Sequence, residues 1–71
     1  MLKELRKKRR LTQKDLSEKA NLSRTYISEL ERGLYKNINI DVIIDLSLAL
    51  EIDCLILCEY FIEENLKRRK I

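Results

Sequence analysis

The scarcity of chain-breaking residues constrains this sequence more than any other feature: one glycine and no proline in 71 positions. Strands and tight turns are punctuated mainly by those two residues, so little material is left for hairpins or sandwiches, and an all-α fold is expected. A chain of this length holds one domain and hides only roughly 60% of the surface that its unfolded form exposes, so it is marginal when alone. Residues 1–71 are therefore read as one domain.

Five helices follow from periodicity and caps. Leu2, Leu5 and the aliphatic stem of Arg9 recur at helical spacing, giving a first helix over about residues 1–10 with a cationic outer face. Thr12 stands at an N-cap position with Asp15 three residues on, a short-armed capping box that opens a helix over 13–20. Asn21, Leu22 and Ser23 break the pattern: Asn tolerates the left-handed conformation that ends a helix, and Ser caps the next. Ile27 and Leu30 carry a third helix over 24–32, closed by Gly33. Asn39 caps a fourth over 40–50, with Ile40, Ile43, Ser47 and Leu50 on one face and Leu46 beside it. Asp53 caps a fifth over about 54–67, followed by a basic tail, 67–71. The fifth helix is apolar nearly all round its first two turns, and the excess over a single core stripe needs a second surface.

Charge divides the chain into blocks. Residues 1–36 carry 11 Lys/Arg against 5 Asp/Glu, residues 37–66 carry none against 7, and residues 67–71 carry 4 against none. A basic half beside an acidic half points to one surface facing a polyanion and another facing solvent or a partner. The cations of the first helix, Lys3, Lys7, Lys8, Arg9 and Arg10, read as a solvated face rather than a binding stripe. With no histidine, no glycine-rich phosphate loop and no clustered acid pair, neither a catalytic site nor a metal or cofactor site is expected. Cys54 and Cys58 lie four apart on one helix and read as free thiols. The longest apolar run, Cys54–Cys58, is far below the roughly 18 residues of a membrane span, so a cytoplasmic protein without membrane contact is expected.

The run LTQKDLSEKANLSRTYISELERG, residues 11–33, resembles the phage-repressor and Cro helix-turn-helix family, with weaker agreement from Leu5 to about Leu55. Its most telling pieces are LTQ with Leu16 and Ala20, then Ser23, Tyr26, Ile27, Ser28 and LERG at 30–33. Within that family, RTYISELERG followed by Asn-Ile is similar to controller proteins of restriction-modification systems. The resemblance implies a five-helix, lambda-repressor-like domain that binds double-stranded DNA as a homodimer and regulates transcription, with no small-molecule ligand. It departs from the family's pattern at Asn21, where glycine is usual, and at Ile38, in a loop one residue longer, where proline is common.

Roles can be assigned beside that resemblance. Ile27 and Leu30 point inward, which leaves Arg24, Thr25, Ser28 and Glu29 as base-reading candidates near the N-terminus of the third helix. Arg24 offers a fork to guanine O6 and N7, and Thr25 a methyl group to thymine. Gln13 begins the second helix, where its amide and free backbone N–H groups suit a phosphate. Ser23, Tyr26, Arg32, Tyr35, Lys36 and Asn37 are further backbone-contact candidates, with Ser23 also a cap and Tyr26 also a core-edge aromatic. Arg6 and Glu31 occur where the family often places a buried ion pair. Leu57, Cys58, Phe61 and Ile62 are the expected dimer contacts on the fifth helix. The competing reading is a protein-interaction module, such as an antitoxin or antirepressor, that uses the apolar fifth helix to hold another protein.

Overall fold

A computed structural model of the chain describes residues 1–69. Among these the chain runs through α1 (Leu2–Lys8), α2 (Gln13–Ala20), α3 (Arg24–Arg32), α4 (Ile40–Leu50) and α5 (Cys54–Arg69), with no strand. None of these helices is long and apolar enough to cross a membrane.

The helix ends follow the local chemistry of the sequence. Thr12 Oγ1 accepts from the Asp15 N–H at 3.0 Å while the Asp15 carboxylate accepts from the Thr12 N–H at 2.9 Å, a complete capping box. Ser23 caps α3 through the Tyr26 N–H, and Asn39 caps α4 through the Val42 N–H. At their other ends α2 and α3 stop on left-handed residues, Asn21 (φ 56) and Gly33 (φ 73). At Gly33 an added Cβ would meet only Arg68 Nη2 at 3.8 Å, so the backbone angle rather than crowding asks for glycine. Asn21 adopts this conformation without being glycine and keeps the turn short.

Four details differ from the sequence reading. Helix α1 stops at Lys8 instead of about residue 10, because Arg10 takes a left-handed conformation (φ 58). The inward residues of α1 are Leu2 and Arg6, whereas Arg9 is exposed and spends its guanidinium on the end of α4: Nε donates to Leu50 O at 2.8 Å and Nη2 to Glu51 O at 3.0 Å. These carbonyls form the negative end of the α4 dipole, which a cation stabilises. Ile40, read as a core residue, is 69% exposed in the first turn of α4. Finally, α5 continues to Arg69, so Lys67, Arg68 and Arg69 are helical; Lys70 and Ile71 of the expected tail lie outside the described residues.

The core draws from every helix: Leu2 from α1, Leu16 and Ala20 from α2, Ile27 and Leu30 from α3, Ile43, Leu46, Ala49 and Leu50 from α4, Leu57 and Phe61 from α5. Helix α2 packs on both α3 and α4, α5 covers α4, and α1 meets α3. Each fully buried Leu or Ile contributes roughly 1.5–3 kcal/mol, and this shared interior fixes the angle between α2 and α3. Ser47 sits among the apolar residues at little cost because its hydroxyl donates to Ile43 O at 2.6 Å.

Candidate nucleic-acid interface

The two helices 13–20 and 24–32 are joined by Asn21–Ser23, and the outer side of the second is where the expected reading residues lie. Because Ile27 and Leu30 are buried, the helical period turns Arg24, Thr25, Ser28 and Arg32 outward. These four residues, with Gln13 from the start of α2, line one surface depression. It contains two guanidinium-bearing residues and no carboxylate. Glu29 is not part of it: it is half-buried on the flank next to Tyr26, whose hydroxyl pKa is raised first by burial and then by the Glu29 charge. Arg32, expected among the phosphate contacts, stands instead with the reading candidates.

A polar network braces this surface from behind. Arg6 Nε donates to Glu31 Oε2 at 2.6 Å and Nη2 to Glu31 Oε1 at 3.2 Å, while Nη1 donates to Leu11 O at 2.8 Å. The two side chains are 10% and 3% exposed, and among the described residues no buried side-chain N or O atom is left without a partner. Gln13 Nε2 donates to Glu31 Oε1 at 3.2 Å, which ties the start of α2 to the middle of α3. Of the first-turn amides of α2, Asp15 N–H is taken by Thr12, whereas those of Gln13 and Lys14 have no hydrogen-bond partner among the described residues and lie at the positive end of the helix dipole, which favours an anion. Lys14, exposed beside Gln13, is a contact candidate that sequence reasoning passed over.

The remaining backbone-contact candidates separate. Ser23 is exposed and occupied as the cap of α3, Tyr26 is half-buried against the core, and Lys36 and Asn37 are exposed in the loop after α3. Tyr35 turns inward: its ring meets Phe61 edge-on with centroids 5.6 Å apart. Its pKa is raised, chiefly by burial.

Two of the four expected dimer contacts, Leu57 and Phe61, require correction. Leu57 is fully buried and Phe61 is 3% exposed, both within the chain's own core, because α5 turns that side onto α4. Cys58 is half-buried and Ile62 is exposed. The apolar surface that remains outside is broader than α5 alone: Ile40, Ile44 and Leu48 follow one another at four-residue spacing along α4, and Leu55, Ile62 and Leu66 share the corresponding outer side of α5. Ile40, Cys58, Ile62 and Leu66 line a common groove between the two helices. The four-residue spacing on α4 is present in the sequence, but counting Ile40 as core concealed it. Among the described residues no group of His, Cys, Asp and Glu is arranged to hold a metal ion, and both cysteines are free.

Comparison with known proteins agrees with this geometry. The helix-turn-helix family model HTH_3 matches residues 2–57. A stretch of 34 residues, 48% of the chain, is 56% identical to the immunity repressor protein of Bacillus phage phi105; it accounts for 24% of the length of that protein. The crystal structure of the wild-type restriction-modification controller protein C.Esp1396I is similar with a TM-score of 0.71 and 38% identity, over 93% of this chain and 84% of that one. A tyrosine-to-phenylalanine mutant of the same controller protein gives a TM-score of 0.71 and 36% identity, over 93% and 82% of the two chains.

Proposed function

This chain belongs to the helix-turn-helix family, and from that premise we propose that it is a transcriptional regulator that reads a roughly palindromic operator as a homodimer, with α3 in the major groove. The family is a non-enzymatic group of DNA-binding repressors and controllers. The observation that carries the finer reading is the depression shared by Gln13, Arg24, Thr25, Ser28 and Arg32: cationic, free of carboxylates, and braced from behind by Arg6 and Glu31. Arg24 takes guanine O6 and N7, Thr25 presents its methyl to thymine, and Gln13 with the first amides of α2 holds a phosphate. The division of labour is positional: phosphate contacts set the register, and base contacts choose the sequence.

One such module is too small to select an operator. A nine-residue helix covers only a few base pairs, and a single domain of this kind buries roughly 600–1,000 Å² against DNA. The exposed apolar face of α4 and α5 supplies the second copy, since a two-fold axis through it matches that face with itself. The two reading helices then lie about 34 Å apart on one side of the duplex. The likeness to a restriction-modification controller and to a phage immunity repressor favours a regulator acting in the cytoplasm on promoter DNA, including that of its own operon.

Selection of bound DNA from a random pool, followed by sequencing, tests this reading. The expected product is an inverted repeat with half-site centres about 10 base pairs apart or a multiple of that. Recovery of unrelated sequences at moderate salt overturns it in favour of a protein-interaction module.

A further inference from the structure

The last turn of α5 reaches across the molecule to the loop that follows α3. Arg68 Nη2 donates to Gly33 O at 2.7 Å and Nη1 donates to Tyr35 O. The same guanidinium lies 4.2 Å from the centroid of the Tyr35 ring, and that ring rests edge-on against the buried Phe61. The loop backbone is thus gripped at residues 33 and 35 by one side chain, 33 to 35 positions away in sequence. Lys36 and Asn37 come next, exposed, and among the described residues neither side chain has a hydrogen bond that would place it. Beyond the Leu34 N–H, which closes α3 on Glu29 O at 2.9 Å, no backbone hydrogen bond involves residues 35–38 among the described contacts. Lys36 and Asn37 therefore sit between two anchors: the grip on residues 33 and 35 on one side, and on the other Ile38, packed against the core, with Asn39, the cap of α4.

The chemistry of the grip is specific to arginine. Its planar fork satisfies two carbonyls at once while its face stacks on an aromatic ring, a combination a lysine ammonium does not reproduce. Gly33 O also belongs to the C-terminal end of α3, where the helix dipole is negative; a cation there offsets a charge that a nearby phosphate would feel as repulsion.

We propose that Arg68 is a positioning residue for DNA binding: without touching DNA, it holds the loop after the reading helix so that Lys36 and Asn37 meet the phosphate backbone while α3 lies in the groove. This rests on the DNA-binding reading above. It also links the two faces of the molecule, because Arg68 rides on the helix whose Ile62 and Leu66 contribute to the pairing surface.

The test is a double-mutant cycle on the operator recovered by selection, measured by fluorescence anisotropy across a salt series for the wild type, Lys36→Ala, Arg68→Ala and the double variant. Each single substitution is expected to lower affinity on the order of ten-fold and the salt slope by about 1, with the double variant losing little more than either. Amide hydrogen exchange at residues 34–37 should speed up in Arg68→Ala while the melting temperature holds. Fully additive losses, with the slope falling by about 2, would make Arg68 a phosphate contact in its own right and overturn the proposal, as would unchanged binding. Arg68→Gln, which keeps a shorter stem and a donor, carries the same cycle if the alanine variant fails to fold. An Arg24→Ala control separates the two claims. If it weakens binding and Arg68→Ala does not, only this proposal falls; if the wild type itself shows no operator preference, the DNA-binding reading falls and takes the proposal with it.

Discussion

The outer face of α3 and the outer face shared by α4 and α5 back onto the same core, yet they show opposite chemistry to their surroundings. On α3 only Ile27 and Leu30 are buried, and everything facing out is polar, with Arg24 and Arg32 among it. On α4 and α5 the inward residues are as apolar as any core requires, and Ile40, Ile44, Leu48, Leu55, Ile62 and Leu66 remain outside as well. Neither outer face is needed to close the interior. On the function proposed above, surplus polarity on one side suits an anion and surplus apolar surface on the other suits a second protein surface.

The contrast is strongest where the polar side is braced. Removing the Glu31 carboxylate leaves Arg6 enclosed without its partner, so Glu31→Ala should lower the unfolding free energy by about 3–5 kcal/mol, read from urea denaturation. A midpoint equal to wild type would mean that the α3 side is held by apolar packing alone, like its counterpart. The apolar side breaks differently. Ile62→Asp, at a position 53% exposed, should leave the fold intact but weaken self-association by about thirty-fold or more in sedimentation equilibrium, the equivalent of at least ~2 kcal/mol. Phe61 is no substitute in that experiment, because a charge there enters the chain's own core. A dimer that survives Ile62→Asp would move the pairing surface elsewhere.

Smaller effects sharpen the polar side. Arg24→Ala should relax base preference at one position of each half-site by about 1–3 kcal/mol, whereas Gln13→Ala weakens all sequences alike. Equal relaxation by both would erase the division between reading and positioning. The least effect concerns the cap of α2. The backbone N–H of Thr12, and after it the Thr12 side chain, hold the Asp15 carboxyl below the usual aspartate range. A carboxyl with a lowered folded-state pKa stabilises fully above its unfolded value near 3.9 and loses that contribution as pH falls through the folded value. Asp15→Asn should therefore give a shallower decline of melting temperature under acid than the wild type; parallel profiles would show that the box does not matter to stability.

Much of this architecture was legible because caps are local. Thr12, Asn21, Ser23, Gly33 and Asn39 announce their helix ends within three residues: α2 and α3 begin and end, and α4 begins, where those residues say. The pair Arg6 and Glu31 was legible only through family resemblance, being 25 positions apart. Periodicity could not orient α5: a helix apolar nearly all round gives no preferred inward side, so Leu57 and Phe61 were indistinguishable from Ile62 until α4 chose among them. Ile40 misled for the opposite reason. It fits the inward stripe of α4 by spacing, but it stands in the first turn, and its side chain lies outside the shared interior. Arg68 had no local signal at all. Within a run of four cations it reads as a solvated end, and its partners lie across the fold.

The left-handed corners have a further consequence for how much change the domain tolerates. Arg10 and Glu51 hold φ values of 58 and 55 without the freedom of glycine, and both side chains are exposed. Such a backbone conformation costs a non-glycine residue on the order of 1 kcal/mol or more. These two corners thus hold latent stability, which a glycine at either would partly release. For a small domain near the lower limit of independent folding, that reserve is evolutionary slack. On the proposed function, residues on the outer side of α3 can drift toward a new operator at some cost to stability, and a single exchange at a corner can restore the margin.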